Sequence, residues 1–507
     1  MAIKILSATY SELQGILIDV EVDITRGMPS FVIVGLPDAS VKEAKERVRS
    51  AIINSGYDFP LGRITINLAP ADVRKIGSLL DLPIALAILM ETKQIAEKDL
   101  EEFIIFGELS LSGEIKGVRG TLPIIIEGIE KKVERFIFPY ENINECTYND
   151  DAILYPFCTL KEVISFINFN DTMPFEIEDI KLEYKENYFD FSEIIGQESS
   201  KRAMEIAAAG KHNLLIYGST GVGKTMLARA LPSILPKLSK KEEQEIAKIY
   251  SISGLLESDK KLVRPFRTPH HTITRTALVG GGKIVKAGEV TLAHNGVLFL
   301  DEILEFKRDV LEVLREPLED RVVHINRLQG SFEMPSDFIL VGAYNTCPCG
   351  KSSLDGMNDS CNCSEGEKRR YLNRLSKALK DRMDLFNYVP RVEYSELRKE
   401  SEHYSSKRMK YRVLKAREKQ HERLIGTSYQ YNSQIRGRDV FELCRISQRV
   451  EEILHAYFNS NKPSLRVYGK IIKIARTIAD IDEKEDIVES NIIEAIGYRR
   501  DCSGEFV

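Results

Sequence analysis

The hydrophobic pattern of the first third of the chain alternates between two periods. Five short, apolar-rich runs are typical of strands. Between them, apolar residues recur at the three- and four-residue spacing of amphipathic helices, as in residues 40–55 and 81–92. The pattern therefore predicts an α/β domain over residues 1–169, with strands at residues 15–22, 30–34, 63–68, 103–106 and 135–138.

A second α/β pattern covers residues 191–390. Its two clearest strands, residues 213–217 and 296–300, are continuously apolar, which is typical of parallel strands covered on both faces. Residues 391–507 have helical spacing instead, which predicts a helical domain. Residues 170–190 carry seven acidic and two basic side chains with little periodicity, so we interpret them as a solvated linker.

Composition narrows the class of protein. The chain has 507 residues, 43% of them hydrophobic and 29% charged, which is ordinary for a globular protein. No apolar run reaches the roughly 18 residues of a membrane span, and residues 1–10 lack the apolar core of a signal peptide. We therefore expect a cytoplasmic protein without a membrane partner. The net charge of −5 argues against a globally basic DNA coat, but residues 367–423 carry 18 basic and nine acidic side chains.

The firmest chemical signal follows the predicted strand at residues 213–217. Gly218 to Thr225 match the phosphate-binding Walker A pattern and precede a predicted helix, which is the context that the pattern requires. Glycines let backbone N–H groups turn toward phosphates, and the helix N-terminus adds partial positive charge. We predict that Lys224 reaches the outer phosphates of ATP and that the Thr225 hydroxyl binds Mg²⁺. The predicted nucleotide-binding residues are Gly218, Ser219, Thr220, Gly221, Val222, Gly223, Lys224, Thr225, Met226 and Asp301.

Two carboxylates follow the second apolar strand, residues 296–300. In parallel sheets, ligands bind at the carboxyl ends of the strands, which is where Asp301 and Glu302 would lie. We predict that Asp301 holds Mg²⁺ and that Glu302 activates the attacking water. The alternative is an ordinary turn whose acidic residues serve a helix N-terminus.

Four of the eight cysteines are clustered in two pairs, which 11 residues separate. Eight cysteines are few for a chain of this length, so a disulfide framework is not expected. Paired thiolates on a polar loop can bind one tetrahedral Zn²⁺ ion. The alternative is a set of reduced, unligated cysteines. The predicted zinc ligands are Cys347, Cys349, Cys361 and Cys363.

Seven segments carry a resemblance to a known family. They are Ile195-Gly196-Gln197-Glu198, Phe266-Arg267-Thr268-Pro269-His270-His271, Leu278-Val279-Gly280-Gly281-Gly282, Leu298-Phe299-Leu300-Asp301-Glu302, Asn345, Cys347-Pro348-Cys349-Gly350 and Asp381-Arg382-Met383-Asp384-Leu385. With these segments, residues 191–390 resemble the magnesium-chelatase-like AAA+ ATPases. The order of all three regions is similar to that of the ComM/YifB type, whose members resemble a bacterial DNA helicase used in natural transformation.

The resemblance implies roles for further residues and an oligomeric assembly. Asn345 matches sensor 1, which positions the attacking water, and Arg466 matches sensor 2 on a helical lid. Arg382 matches the arginine finger that a subunit supplies to its neighbour's nucleotide, with Arg374 as the alternative. The implied protein is a homohexameric ring that uses ATP and Mg²⁺, and a surface salt bridge remains the alternative role for each arginine. The predicted catalytic residues are Lys224, Glu302, Asn345, Arg382 and Arg466.

Residues 67–89 and 107–115 resemble the Lon protease domain. Lon-type proteolysis needs a serine nucleophile and a lysine base. The nucleophile position falls on Leu79, next to Ser78, and the base position falls near Leu122, so we predict a non-proteolytic Lon-like module. A one-residue shift of the alignment would restore Ser78 without supplying the lysine. The lysines nearest to the base position are Lys116 and Lys131.

Two inserts are candidates for DNA-binding loops. Motors of the resembled class bind polyanions in a central channel, and residues 265–288 and 321–335 hold basic side chains that phosphates would attract. We predict that residues 321–335 form a hairpin. The alternative is that both inserts pack between subunits. Three functions remain open: a DNA helicase or branch-migration motor, a chelatase-like or protein-remodelling ATPase, and, less favoured, a Lon-type protease.

Overall fold

The computed structural model describes residues 3–75, 77–96, 100–176, 188–256, 260–282, 286–327, 330–351, 361, 363–392, 404–461, 464–500 and 502. These residues form two compact units. One lies within Met1–Lys185 and Ser239–Leu262, and the other lies within Glu186–Leu238 and Val263–Val507. The domain boundaries predicted at residues 169, 190 and 390 remain predictions, and residues 177–187 of the predicted linker lie outside the described residues.

Strands and helices alternate through most of the chain, and helices follow β18 in the described residues, which confirms the predicted α/β class with a helical C-terminal region. The strands are β1 (Ile3–Ser11), β2 (Gln14–Thr25), β3 (Ser30–Val34), β4 (Arg63–Ala69), β5 (Phe103–Ile105), β6 (Glu108–Leu109), β7 (Ile115–Lys116), β8 (Arg135–Pro139), β9 (Ile153–Phe157), β10 (Leu214–Tyr217), β11 (Phe266–Arg267), β12 (Gly280–Gly281), β13 (Lys286–Ala287), β14 (Val297–Leu300), β15 (Val322–Arg327), β16 (Gly330–Pro335), β17 (Ile339–Tyr344) and β18 (Leu385–Tyr388). The helices are α1 (Ala39–Asn54), α2 (Asp81–Glu91), α3 (Thr121–Glu130), α4 (Leu160–Phe169), α5 (Glu198–Gly210), α6 (Lys224–Ile234), α7 (Lys240–Ser253), α8 (Arg275–Val279), α9 (Glu289–Leu292), α10 (Arg308–Glu312), α11 (Arg315–Asp320), α12 (Glu365–Leu372), α13 (Lys377–Lys380), α14 (Ser406–Leu424), α15 (Asp439–Cys444), α16 (Gln448–Asn461), α17 (Leu465–Ile481) and α18 (Glu489–Gly497).

The first unit is built on a four-stranded sheet in the order β1-β2-β4-β3. Strand β2 is antiparallel to both β1 and β4, whereas β3 and β4 are parallel. The parallel strands β5, β8 and β9 form a second sheet. Helix α2 is buried from Asp81 to Met90 and packs against β1, β2 and α1, as a helix that is apolar on nearly every side must.

Helix α7 belongs to the first unit although it follows α6 in sequence. Gln244 donates to the Tyr148 carbonyl oxygen at 2.8 Å, and Ser251 donates to Glu145 Oε2 at 2.5 Å. Burial raises the pKa of the Glu145 carboxyl. The helix therefore packs on the N-terminal unit, although its residues lie inside the range predicted for the nucleotide domain.

The two positions aligned with the Lon nucleophile and base are buried leucines. Leu79 is 3% exposed and Leu122 is 0% exposed. The neighbouring Ser78 hydroxyl donates to the carboxylate of Glu108. Two buried leucines offer neither a nucleophile nor a base, which supports a non-proteolytic module. The lysines nearest to the base position form ion pairs with glutamates, Lys116 with Glu114 and Lys131 with Glu127.

The second unit is built on a five-stranded parallel sheet in the order β11-β14-β17-β10-β18. The two strands predicted from continuous apolar runs are β10 and β14, and all four residues of each are buried. Strand β17 lies between them. Because the strands run in one direction, the segments that follow β10, β14 and β17 begin at the same edge of the sheet. This edge holds the predicted nucleotide site.

The rest of the second unit consists of a hairpin and the C-terminal helices. The hairpin predicted at residues 321–335 is confirmed, because β15 and β16 pair in antiparallel register. Apolar side chains of α14 and α17 share one core with those of β10, β14 and β17. None of the helices in the described parts of the chain combines the length and apolar character that a membrane crossing needs.

Candidate nucleotide-binding site

The Walker A loop joins the end of β10 to the start of α6. Gly221 and Gly223 have φ angles of +79° and +91°, a left-handed conformation that glycine adopts without the steric penalty of a side chain. Helix α6 begins at Lys224, so the loop leads directly into a helix N-terminus. Free N–H groups and partial positive charge at this end attract phosphate groups.

Lys224 is buried within the loop that precedes it. Its ammonium donates to the carbonyl oxygens of Gly218 at 2.9 Å and Ser219 at 2.7 Å, and to Asn345 Oδ1 at 3.0 Å. Asn345 directly follows β17, so the pairing of β10 with β17 brings the two side chains together. The structure thus joins the predicted Walker A lysine and the predicted sensor 1 asparagine in one contact.

Thr225 and Asp301 form the oxygen pair predicted for Mg²⁺. The Thr225 hydroxyl donates to Asp301 Oδ2 at 2.9 Å. Mg²⁺ binds oxygen ligands octahedrally at about 2.0–2.1 Å, which separates adjacent ligand oxygens by about 2.9 Å. The two side chains therefore fit one Mg²⁺ ion as neighbouring ligands. A bound ion would neutralise charge on the phosphates of ATP.

Glu302 has an uncommon backbone conformation for a residue with a side chain, because its φ angle is +49°. Its N–H donates to Asp301 Oδ1 at 3.0 Å, and its side chain is exposed. Residues in strained conformations often lie at active sites, where the surrounding structure holds them in place. At the end of β14, the Glu302 carboxylate is thus open to solvent and can accept a proton from water.

Arg382 and Arg466 meet at a single carboxylate. The Arg382 guanidinium donates to Glu319, and Arg466 Nη2 donates to Glu319 Oε1 at 2.9 Å. Arg382 also donates to the carbonyl oxygens of Arg315 at 3.1 Å and Ala378 at 2.8 Å. Within the described residues, none of these hydrogen bonds reaches the Walker A loop.

Sequence reasoning missed Glu319, which lies in the short, charged helix α11. Arg436 Nη2 donates to its backbone carbonyl oxygen at 2.5 Å, so three arginines converge on this residue. All three line a cavity of about 640 Å³. No local signal marks Glu319, because the three arginines lie 63, 117 and 147 residues away in sequence.

A buried ion pair fixes the strand that follows Arg382. Lys470 donates to Asp384 Oδ1 at 2.8 Å and to the Met383 carbonyl oxygen at 3.0 Å. Burial alone would raise the pKa of the Asp384 carboxyl, but the Lys470 ammonium holds it well below its usual range. Because Lys470 and Arg466 lie one turn apart on α17, the ion pair links the backbone beside Arg382 to the helix that carries Arg466.

Arg374, the alternative finger, lies beside the segment that follows β14. Its Nη1 is 2.8 Å from Glu305 Oε2 and 3.2 Å from the Leu304 carbonyl oxygen. The two candidates therefore have different surroundings, because Arg382 lies with Arg466 whereas Arg374 holds the segment after Asp301 and Glu302.

Comparisons with known proteins agree with this geometry. The family described as magnesium chelatase, subunit ChlI, matches residues 190–397, its C-terminal part matches residues 403–499, and subunit ChlI of Mg-chelatase matches residues 20–142. The chain is 39% identical to competence protein ComM of Haemophilus influenzae over 493 residues, 96% of this chain and 95% of ComM. It is 40% identical to YifB of Escherichia coli K12 over 489 residues, 95% of this chain and 94% of YifB. This chain belongs to the ComM/YifB family of magnesium-chelatase-like AAA+ ATPases.

Family membership agrees with two further observations. A shorter match, 30% identical over 185 residues, relates 31% of this ComM/YifB-family chain to 33% of Lon protease 2 of Bacillus subtilis, in agreement with the Lon-like resemblance. The family implies ATP and Mg²⁺ as ligands. The residues present fit both, through the helix N-terminus at Lys224 and the oxygen pair of Thr225 and Asp301.

The four predicted zinc ligands of this ComM/YifB-family protein lie together. All four sulfur atoms are within 4.8 Å of one another, and Cys347 Sγ is 3.3 Å from Cys349 Sγ and 3.0 Å from Cys361 Sγ. In a tetrahedral site with Zn–S bonds of about 2.3 Å, sulfurs are about 3.8 Å apart. The cluster thus fits one zinc ion after a small expansion. The hydrogen bond with Cys347 lowers the pKa of the Cys361 thiol to about 7, whereas burial raises the pKa of the Cys347 thiol.

The basic inserts contain both engaged and exposed cations. Arg264 donates to the carbonyl oxygens of Pro236 and Asn295 at 2.6 and 2.7 Å. Arg267 forms two hydrogen bonds with the Glu289 carboxylate at 2.7 and 2.8 Å. These two arginines, at the start of the first insert, therefore join it to segments that lie outside residues 265–288. Among the described side chains of the two inserts, the exposed basic ones are His270, Arg275, Lys286 and His324, and the His324 ring is hydrogen-bonded to the Glu316 carboxylate at 2.7 Å. Lys283 lies outside the described residues.

Proposed function

We propose that this AAA+ ATPase is a hexameric ring motor that moves DNA, as a helicase or branch-migration protein in recombination or natural transformation. One observation supports the ring above all: Arg382 and Arg466 bind Glu319, and their hydrogen bonds do not reach the Walker A loop of their own chain within the described residues. An arginine finger outside its own nucleotide site can serve the nucleotide of a neighbouring subunit. Head-to-tail contacts of this kind close into rings.

DNA is the proposed substrate of the ring. The relative ComM is named as a competence protein. Arg275 and Lys286 are exposed in the first insert, and His324 is exposed on β15, where its ring is hydrogen-bonded to the Glu316 carboxylate. Basic side chains of this kind contact DNA phosphates without regard to base sequence. We propose that the inserts bind single-stranded or branched DNA in the channel.

We expect single-stranded and branched DNA to raise the ATPase rate severalfold and the stimulation to fade as salt rises. The physical reason is that each contact between a basic side chain and a phosphate releases counterions, which added salt opposes. The measurement is the steady-state ATPase rate with and without each DNA over a salt titration. The Arg275→Ala/Lys286→Ala variant should lose most of the stimulation.

The matched control is the Arg445→Ala/Arg449→Ala variant, which removes two exposed arginines that lie outside both inserts. It should respond to DNA as the wild type does. A wild-type protein that responds to no DNA at any salt concentration would contradict the DNA motor and leave the ATPase assignment standing. That result would favour the second candidate, a chelatase-like or protein-remodelling ATPase. The match of residues 190–397 to the magnesium chelatase family supports this candidate.

We also propose that the four-cysteine cluster, Cys347, Cys349, Cys361 and Cys363, holds one structural zinc ion. The convergence of the four sulfurs supports this proposal. Four protein ligands fill a tetrahedral zinc site and leave no open position for a substrate, which is typical of structural rather than catalytic zinc.

Metal analysis of the purified protein should find about one zinc ion per chain, as a single four-thiolate site requires. The Cys361→Ser/Cys363→Ser variant should contain almost none, because a hydroxyl is a much weaker zinc ligand than a thiolate. The control is Cys158→Ser, which removes an exposed cysteine outside the cluster and should leave the zinc content unchanged. A folded wild-type protein that contains no zinc would refute the proposed zinc site.

A further inference from the structure

The loop that carries the first two cysteines contacts the Walker A loop directly. The Gly350 carbonyl oxygen accepts hydrogen bonds from Thr220 N at 2.9 Å and from Thr220 Oγ1 at 3.3 Å. Thr220 immediately precedes Gly221, where the chain turns toward the phosphate-binding N–H groups. The cysteine loop thus fixes the first part of the Walker A loop at one backbone position.

Only glycine fits at position 350. Its φ angle is +78°, and a Cβ atom there would lie 2.6 Å from Thr220 Cγ2. Gly350 N also donates to the Cys347 carbonyl oxygen at 3.0 Å, which closes a tight turn from Cys347 to Gly350. The geometry of this turn, which holds two of the four thiols, therefore sets the position of the carbonyl oxygen that Thr220 binds.

The same cysteine loop begins at the other side of the nucleotide site. Cys347 is buried and lies two residues after Asn345, whose side chain contacts the Lys224 ammonium at 3.0 Å. One short segment, residues 345–350, therefore contacts the Walker A region at both Lys224 and Thr220. A displacement of this segment would disturb the loop that has to receive the phosphates.

A metal ion is the group that can hold this segment. Thiol groups form only weak hydrogen bonds, so four neutral cysteines would contribute little to holding the turn in place. Four thiolates without a metal would repel one another at the observed spacing. A zinc ion would replace this repulsion with attraction, because it would bind all four sulfurs. It would thereby join the turn at Cys347 and Cys349 to Cys361 and Cys363.

We infer that zinc in the four-cysteine cluster braces the Walker A loop through the Gly350–Thr220 contact, so that zinc occupancy sets the affinity for nucleotide. This inference rests on the proposed zinc site and on the AAA+ nucleotide site. The metal does not touch the nucleotide. Its effect passes through the backbone of residues 347–350.

The experiment compares zinc content and ADP affinity in the same full-length samples. The Cys361→Ser/Cys363→Ser variant should lose its zinc and bind a fluorescent ADP analogue about tenfold more weakly, the order expected for one lost backbone contact. Cys158→Ser should keep both properties. Gly350→Ala should keep the zinc, because all four cysteines remain, and should still bind ADP more weakly, because the added Cβ disturbs Thr220.

A second measurement avoids any variant that fails to fold. A zinc-selective chelator is added to wild-type protein in excess Mg²⁺, and ADP affinity should fall as zinc leaves and recover when zinc is returned. Zinc-free samples that bind ADP with unchanged affinity would overturn the brace. Absence of zinc from the wild type would instead refute the zinc proposal, and absence of ADP binding by the zinc-loaded wild type would refute the nucleotide site.

Discussion

Lys224→Ala is expected to remove most of the affinity for ATP. The Lys224 ammonium, at the N-terminus of α6, already lies within 3.0 Å of three oxygen acceptors, and phosphate oxygens would be stronger acceptors. Hydrogen bonds to charged groups contribute about 1.5–3 kcal/mol each, so losing two of them weakens binding at least about 100-fold. The measurement is calorimetric titration with a non-hydrolysable ATP analogue and Mg²⁺.

The matched control for this prediction is Lys407→Ala, because Lys407 is exposed on α14 and has no part in the proposed nucleotide site. It should bind the analogue as the wild type does. Thermal melting of Lys224→Ala distinguishes lost binding from lost folding. A folded Lys224→Ala protein with wild-type affinity would refute the assignment of the Walker A loop.

The sequence predicted the members of the nucleotide site but not their contacts. Lys224, Asn345 and Asp301 each follow a strand whose apolar run or family motif is readable. The contact between Lys224 and Asn345 depends on β17 lying beside β10. The sequence of a single strand does not show which strand will be its neighbour in the sheet. The motif spacing therefore predicts the residues of the site, and the distances between them follow from the sheet topology.

The parts of the fold that were predicted are those with an unbroken hydrophobic pattern. Strands β10 and β14 are buried along their whole length, and their sequences are continuously apolar. Strand β1 was not predicted, because buried Ser7 and Thr9 replace apolar residues in its pattern. Polar residues at buried positions thus interrupt the hydrophobic alternation from which a strand is predicted.

Contacts between residues far apart in the chain could not be predicted from the sequence either. Nothing in the sequence of helix α7 indicates that it packs on the N-terminal unit. Its hydrogen bonds there are to residues about a hundred positions earlier in the chain. Glu319 lies among charged residues in α11 that look like an ordinary solvated turn. Its importance is visible only when Arg382 and Arg466 are seen at its carboxylate. Contacts of this kind are decided by tertiary structure, which periodicity does not report.

Arg382→Ala is expected to lower the ATPase rate at least about 1,000-fold, because an arginine finger that stabilises charge in the transition state contributes about 10³–10⁵ in rate. ATP affinity should change little, because Arg382 contacts Glu319 and carbonyl oxygens rather than the Walker A loop. The measurements are the steady-state ATPase rate and nucleotide affinity of the same preparation. Arg374→Ala tests the alternative finger, and Arg445→Ala, which removes an exposed arginine outside the site, is the control that should keep the wild-type rate.

Mixing two inactive variants decides whether Arg382 acts across a subunit interface. In a head-to-tail ring, a Glu302→Gln subunit can supply Arg382 to an Arg382→Ala neighbour whose Glu302 is intact. With equal amounts and random mixing, about one quarter of the interfaces would then be complete, so activity should return to a similar fraction of the wild-type rate. Arg382 also donates to the carbonyl oxygens of Arg315 and Ala378, contacts through which it would stabilise its own subunit if its role were structural. A structural role would lower the melting temperature and leave the mixture inactive, and that result would contradict a finger that acts in the neighbouring subunit.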